Sequence, residues 1–490
     1  MDTNRREFLK GAALAAGVGA FSGCATHSCG FCSGLTGAPM RNFRCAPMKK
    51  VRVGIVGVGY RGVGAVGRMP MIPGIEVTAI CDARQKCIDR AVDMIFKATG
   101  KKPRAYGPAE DAWKALCDSD DVDVVYNCTP WHLHAPVSLY AMRAGKHTMI
   151  EVPSAMTIDE SWEFVETAEK TKRHCMQLEN CCYGEEPLLA LNLCSLGMLG
   201  EILYGECAYV HDRRWQIFND DQWNHWRREM NIVHAGNQYQ THGLGPIAMN
   251  MGINRGDRFE YLVSMDTMQK GYETFAEHTL PAGDPRRKLR FAMADMNMSL
   301  IHTAKGRTIM LQHDVSTPRP GTRINLTAGT KGMIRSYPKL ELHIEPADSW
   351  PTEPGMPNFD DKIAAEVRAK YMHNLWKKFG DIAKSVGGHG GKDYMMDLRW
   401  AYCLMQGLPL DTDVYDLASW SAIAELTERS SRNRSQAVDV PDFTRGVWRE
   451  KTDINLIHAD IDLAKLDFDS VKIRKAEGQL SHSMKEIKKL

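Results

Sequence analysis

Short apolar runs alternate with longer helical stretches over residues 49–155. Val51–Val58, Val77–Ile80, Val122–Asn127 and His147–Glu151 are rich in β-branched residues, and this pattern predicts strands. Ala83–Thr99 and Ala135–Gly145 lie between them and carry helical spacing. Strands alternating with helices predict an α/β domain with a doubly wound parallel sheet of the Rossmann type. A helix is expected over Ile158–Arg173, with Thr157 as its cap and Asp159 and Glu160 in its first turn. A strand at Cys175–Glu179 completes the domain, which is expected to span 49–180.

From residue 181 the pattern changes. One helix is expected at Glu186–Gly197, followed by strand-like runs at Gly205–His211, Tyr261–Met268, Met296–His302, Thr308–Asp314, Arg323–Ala328, Gly332–Tyr337 and Glu341–Ile344. Helices return at Ile363–Phe379 and Tyr394–Gln406. This predicts a C-terminal α+β domain, 181–450, on a mostly antiparallel sheet. A charged tail, 451–490, follows, with an amphipathic helix expected at Val471–Leu490.

Two domains suit a chain of 490 residues with 43% hydrophobic content. A formal net charge of +2 gives no reason to expect a nucleic-acid partner. At the start, Arg5-Arg6 precede a short, weakly apolar segment, Gly11–Gly23, which reads as a Tat export signal over 1–23. Phe21-Ser22-Gly23-Cys24 resembles a lipobox, so a lipid at Cys24 and a periplasmic or membrane-anchored location are expectations. Residues 24–48 read as a tether. Cys29-Gly30-Phe31-Cys32 lacks the second pair that a zinc site needs, and the 14 cysteines show no even spacing. His211-Asp212 lacks a third ligand at suitable spacing, so no metal is expected.

The first strand ends in Gly57-Val58-Gly59-Tyr60-Arg61-Gly62. In such a turn, Gly57 permits the bend, Gly59 lets a pyrophosphate approach the backbone, and Gly62 lets helix and strand pack closely. The second strand ends at Asp82, 20 residues after Gly62, where a carboxylate takes the ribose hydroxyls. Dinucleotide binding is therefore expected. Asp82 favours NAD over NADP, because it repels a 2′-phosphate. The loop Thr129-Pro130-Trp131-His132-Leu133-His134 follows a strand at the nicotinamide side, and Glu151-Val152-Pro153 ends the next one.

This layout resembles the Gfo/Idh/MocA oxidoreductases, which carry Glu-Lys-Pro where this chain has Glu151-Val152-Pro153. Glu179-Asn180-Cys181-Cys182-Tyr183, Tyr209-Val210-His211-Asp212, Trp226-Arg227, Gly236–Pro246, His313-Asp314, Pro318-Arg319-Pro320, Gly388–Asp393 and Leu408–Asp411 resemble one branch: the NAD-dependent glycosidases of family 109, of the α-N-acetylgalactosaminidase type. The resemblance runs over residues 50–450. It implies hydrolysis by oxidation at C3 of the sugar, loss of the C2 proton, elimination of the glycosidic oxygen, addition of water and return of the hydride, with no net redox change. It implies Tyr183 and His242 as acid/base residues. It implies Tyr60, Arg61, Asp82, Trp131, His132, Leu133, His134, Glu151, Val152 and Asn180 around NAD, and Tyr209, Arg227, Tyr239, Gln240, Thr241 and His242 around a glycan carrying N-acetylgalactosamine.

Two departures matter. Val152 replaces the lysine that serves the hydroxyl in sugar dehydrogenases, which argues against an exported NAD-dependent sugar oxidoreductase, the alternative reading. Gly321 stands where the family carries a tyrosine after Pro-Arg-Pro, which leaves α or β linkage and the exact sugar open. A non-catalytic sugar-binding protein is a third reading. A homodimer is expected by analogy, since the open sheets of this fold commonly pair.

Overall fold

The computed structural model describes residues 40–220, 225–345 and 358–466. The signal, the lipobox cysteine, the Cys29–Cys32 pair, most of the tether and the helix expected at Val471–Leu490 lie outside them.

The first sheet has six parallel strands: β1 (Val51–Val56), β2 (Ile75–Cys81), β3 (Arg104–Tyr106), β4 (Val124–Asn127), β5 (His147–Ile150) and β6 (Cys175–Gln177). Their order is β3-β2-β1-β4-β5-β6. The chain therefore reverses direction across the sheet between β1 and β4, and the crevice beyond their carboxyl ends is the ligand position of such a sheet. The helix Ile158–Thr171 begins with the reciprocal bonds expected from its sequence: Thr157 Oγ1 accepts from the Glu160 amide and Glu160 accepts from the Thr157 amide. β3 and the helix Trp113–Cys117 were not apparent in the sequence.

The second sheet has eight strands: β7 (Ile202–Val210), β8 (Phe259–Asp266), β9 (Asn297–Thr303), β10 (Thr308–Asp314), β11 (Leu326–Gly329), β12 (Gly332–Arg335), β13 (Glu341–Ile344) and β14 (Val438–Asp439). The order is β13-β12-β11-β7-β10-β9-β8-β14, antiparallel throughout except for β7 beside β10. That register sets Tyr209 opposite His313. Partners in register share a face, so both side chains reach one end of the sheet together.

Two helices missed in the sequence join the sheets. Thr241–Asn250 packs on β7, and Val414–Arg432 packs on β6, β8 and the helix Ile158–Thr171. The single helix expected at Ile363–Phe379 is instead two, Asp361–Tyr371 and Asn374–Val386, the second capped by His373. One continuous core runs through both sheets and includes Tyr183, Trp400 and Trp420.

Candidate active site

The turn after β1 has the form a dinucleotide needs. Gly57 sits at φ +83°, in the left-handed region, and a Cβ at Gly62 would lie 1.9 Å from the Gly57 carbonyl oxygen. Backbone and helix therefore approach as closely as a pyrophosphate cradle requires, at the start of the helix Tyr60–Arg68. Asp82 is buried at the end of β2; it accepts from the Val58 amide at 2.9 Å and from the Arg84 amide at 2.9 Å. Tyr60 is exposed at the mouth. These residues fit the nucleotide. Asn180 adds a buried amide oxygen with no partner, free to accept from a carboxamide.

A charged knot closes the floor of this crevice. Arg61 bonds Glu151 at 2.6 Å and Asp393 at 2.8 Å. Asn180 donates to Asp393 at 2.5 Å, His389 lies 3.0 Å from it, and Arg68 reaches Asp393 and Asp397. Burial works against the Asp393 carboxylate, but Arg61, His389 and Arg68 outweigh it and hold its pKa well below the ordinary range. Arg61 and Asn180 are thus tied across the crevice to a residue of the C-terminal half, a link that no motif announced.

The loop after β4 departs from expectation. His134 is buried, with Nδ1 2.7 Å from the Pro153 carbonyl and Nε2 2.8 Å from that of Thr129, so it pins two loops together instead of facing the nucleotide. Burial lowers its pKa. His132 is exposed and Leu133 packs on the apolar cluster that holds Val56, Leu116 and Val137. Trp131 turns the other way. Its indole nitrogen donates to the Val152 carbonyl at 3.2 Å, and its ring stacks on Tyr239 at 5.5 Å.

Trp131 therefore belongs to the cluster around Tyr209 and Tyr239. There a narrow cleft is walled by Trp131, Tyr209, Arg213, Arg227, Tyr239 and His313. The Arg227 guanidinium lies 4.8 Å from the Trp131 ring and 4.7 Å from that of Tyr239. Gln240 and Thr241, expected to line the sugar, do not line this cleft. Gln240 is enclosed and donates to the carbonyls of Trp420 and Ser421, and Thr241 is enclosed at the start of its helix.

The largest correction concerns Tyr183. It is fully buried in the core, and its phenol donates to Asp411 at 3.1 Å. Asp411 is held by Arg399 at 2.6 Å. Burial and Asp411 push the phenol pKa well above 10, the reverse of what a base needs. In this structure Tyr183 holds Asp411 and does not line the cleft.

Tyr209 has the opposite environment. Burial raises a phenol pKa, but Arg213, Arg323, Arg227 and His242 outweigh it and lower that of Tyr209 to about 8. Arg213 donates to its oxygen at 2.9 Å, and the Arg323 guanidinium lies 4.3 Å from its ring. The His242 ring is 5.6 Å away and that of Tyr239 4.5 Å. His313 is held neutral, with its pKa lowered to about 3 by burial and by Arg227.

His242 is where expected and brings a partner the sequence reading overlooked. Its Nδ1 lies 2.7 Å from Oε1 of the buried Glu179. Burial disfavours the imidazolium, yet Glu179 and Cys181 outweigh it and raise its pKa well above 6.5. Glu179, Cys181 and His242 offer atoms within 4.8 Å of one another, as metal ligands do. The Lys392 ammonium, 4.0 Å from Cys181 Sγ, works against a cation there. A phenol tuned down beside an imidazolium tuned up is the pattern of a base and an acid in one site.

Residues 51–178 match the family described as "Oxidoreductase family, NAD-binding Rossmann fold", and residues 183–450 match "Glycosyl hydrolase 109, C-terminal domain". A glycosyl hydrolase family 109 protein of Shewanella amazonensis is 42% identical over 461 residues, 93% of this chain and 99% of that protein. An α-N-acetylgalactosaminidase of Bacteroides fragilis is 42% identical over 409 residues, 82% of this chain and 94% of that protein. Among solved structures, a levoglucosan dehydrogenase in complex with NADH and levoglucosan superposes with a TM-score of 0.59 at 20% identity, covering 80% of this chain and all of that one. That likeness speaks for the fold. With a nucleotide cradle on one side of a crevice and a tuned phenol–imidazole pair on the other, this chain belongs to glycosyl hydrolase family 109.

Proposed function

We propose that this glycoside hydrolase removes terminal α-linked N-acetylgalactosamine, with NAD retained in the Gly57–Asp82 crevice and Tyr209 and His242 as its base and acid. The observation that carries the reading is the geometry: the two rings lie 5.6 Å apart, Arg213 donates to the Tyr209 oxygen and Glu179 lies 2.7 Å from His242 Nδ1. Bound nicotinamide would supply a two-electron acceptor for the C3 hydride, the C3 hydroxyl proton passing to solvent, and would return the hydride once water has added at C1; the 3-ketone in between makes the C2 proton acidic. Tyr209, as phenolate, takes that proton. His242, whose Nδ1 is held by Glu179, presents Nε2 to the leaving oxygen and gives it a proton. No pair of flanking carboxylates is required, as in other NAD-dependent glycosidases.

Asp82 supports NAD over NADP, because its carboxylate repels a 2′-phosphate. Val152 supports hydrolysis over net oxidation: an apolar side chain, buried against Trp131 and Tyr239, stands where sugar dehydrogenases of this fold carry a lysine. The α-N-acetylgalactosaminidase name of the Bacteroides fragilis relative supports the sugar. Export through the Tat signal suits an enzyme that acquires its nucleotide before leaving the cytoplasm, and Cys24 is the proposed lipid attachment. Pairing through the second sheet, whose outer face carries Tyr261, Met265, Met298 and Leu300, is the proposed route to a homodimer.

The test is a chromogenic α-N-acetylgalactosaminide with purified protein and no added cofactor. Many turnovers of chromophore release without stoichiometric reduced nicotinamide support the reading. Accumulating reduced nicotinamide with free sugar and added NAD⁺, and no chromophore release, would make it a dehydrogenase.

A further inference from the structure

Cys181 has surroundings unlike those of the core cysteines. Burial pushes up the thiols of Cys128, Cys175, Cys182, Cys207 and Cys403. It also works against a thiolate at Cys181, but Lys392 and His242 outweigh it and lower that pKa. Cys182, the next residue, belongs to the continuous core, and Cys181 does not. The Cys181 amide donates to Glu179 Oε1 at 3.0 Å, and the same oxygen lies 2.7 Å from His242 Nδ1. Side-chain atoms of Glu179, Cys181 and His242 come within 4.8 Å of one another.

The fourth member of this cluster comes from far along the chain. Lys392 opens the helix Lys392–Gln406, and its Nζ lies 4.0 Å from Cys181 Sγ and 3.3 Å from the Tyr337 hydroxyl. Its stem passes over Gly184, where an added Cβ would lie 3.2 Å from Lys392 Cδ. Among the described residues Lys392 makes no ion pair with a carboxylate. Glu185 and Glu186 line the same cavity, but Arg368 and Lys384 hold them. That cavity reaches solvent past His389 and Gly390, which are exposed. A small oxidant entering it meets the Lys392 ammonium with the buried sulfur behind it.

We propose that Cys181 and Lys392 close a covalent, redox-reversible bridge, with hydrogen peroxide as the oxidant. In the first step the Cys181 sulfur attacks one peroxide oxygen. The S–O bond forms, the O–O bond breaks and hydroxide leaves, so sulfur is oxidised to a sulfenic acid and the peroxide is reduced. His242, beside the sulfur, gives the departing oxygen a proton. In the second step the Lys392 nitrogen attacks the oxidised sulfur. The S–N bond forms, the S–O bond breaks, and water leaves with a proton from the nitrogen. Loss of the thiolate removes the largest influence that keeps Lys392 charged, so the oxidation itself frees the amine. The four-carbon lysine stem is flexible enough to close a gap of 4.0 Å. The bridge ties the helix Lys392–Gln406 to the segment that holds His242, and its chemistry is independent of the sugar.

The experiment exposes the full-length protein to hydrogen peroxide, digests it without reductant and reads the peptides by mass spectrometry. The expected product is a pair of peptides joined at Cys181 and Lys392, lighter than their sum by two hydrogens, which dithiothreitol separates. In K392Q, checked for folding by circular dichroism, the bridge cannot close. Cys181 should there go on to the sulfinic acid, which dithiothreitol does not reverse. With a chromogenic α-N-acetylgalactosaminide, peroxide should abolish turnover, and dithiothreitol should restore it in the wild type and not in K392Q. Wild-type Cys181 recovered as free thiol while other cysteines oxidise, as sulfinic acid without a bridge, or in a disulfide with Cys182 would overturn the proposal. The bridge is read on the protein itself, so a bridged protein that hydrolyses no glycoside would uphold it and overturn the glycosidase reading.

Discussion

His242 and Glu179 are joined across 63 residues of sequence by a 2.7 Å contact between an imidazole Nδ1 and a carboxylate enclosed by protein. The contact fixes the ring and, with Cys181, raises its pKa above that of an isolated histidine. Replacing His242 by alanine is expected to lower kcat by about 10²–10⁴-fold. Glu179→Gln should leave the ring in place but remove the charge that raises its pKa. The alkaline limb of the pH–rate profile should then move to lower pH while KM changes little.

Tyr209 and Tyr183 are expected to separate function from stability. Tyr209→Phe keeps the ring that packs on Tyr239 and His313 and removes the acid/base group. It should lower kcat by about 10²–10⁴-fold. Tyr183→Phe breaks a hydrogen bond to the buried Asp411. It should cost about 1–3 kcal/mol of stability, read as a lower Tm, with kcat retained.

The same two groups set the pH dependence. Tyr209 works as phenolate, so kcat/KM should rise with pH through its lowered pKa of about 8. His242 works as imidazolium, so activity should fall again as pH passes its raised pKa. The stability linkage has the matching sign. The ion pair of His242 with Glu179 stabilises the fold fully below the ordinary histidine pKa, and this contribution fades as pH rises through the raised one.

Asp393 ties Arg61, Arg68, Asn180 and His389 together, so its removal strands buried cations. Asp393→Asn should cost about 3–5 kcal/mol. It should also release retained nucleotide faster on dialysis, followed by absorbance at 260 nm, because Asn180 loses its anchor. The Asp393 pKa is depressed, so its contribution is present above the unfolded carboxyl pKa and lost as pH falls through the folded value.

Gly62→Ala tests the cradle. The added methyl would meet the Gly57 carbonyl at 1.9 Å, within the turn itself. Protein purified with this change should carry no nucleotide.

The Rossmann half was readable because its signals are local: a β-branched run, a glycine turn and an acid 20 residues on. Thr308–Asp314 and Glu341–Ile344 fall on strands with the bounds expected from their sequence. Two central helices were hidden for opposite reasons. Val414–Arg432 is buried on nearly every face, so it shows no amphipathic stripe. Thr241–Asn250 contains Gly243, Gly245 and Pro246 and reads as a loop. A Cβ at Gly243 would lie 2.7 Å from the Ala208 amide nitrogen, so this glycine serves the close packing of helix on β7.

In the candidate site, His242 was singled out by its string, and the role proposed here for Tyr209 was not. The arginines that tune Tyr209 arrive from positions 213, 227 and 323, and no spacing along the chain brings them together. Tyr183 misled for the same reason. Its neighbours in sequence belong to the site, but its side chain points into the core toward Asp411 and Arg399.

The most direct test of the account is hydrolysis in D₂O, with the released sugar examined by mass spectrometry and NMR. Removal and return of the C2 proton during turnover predicts one deuterium at C2 of N-acetylgalactosamine. Release of the sugar with hydrogen retained at C2 would contradict the account and point to direct displacement at C1.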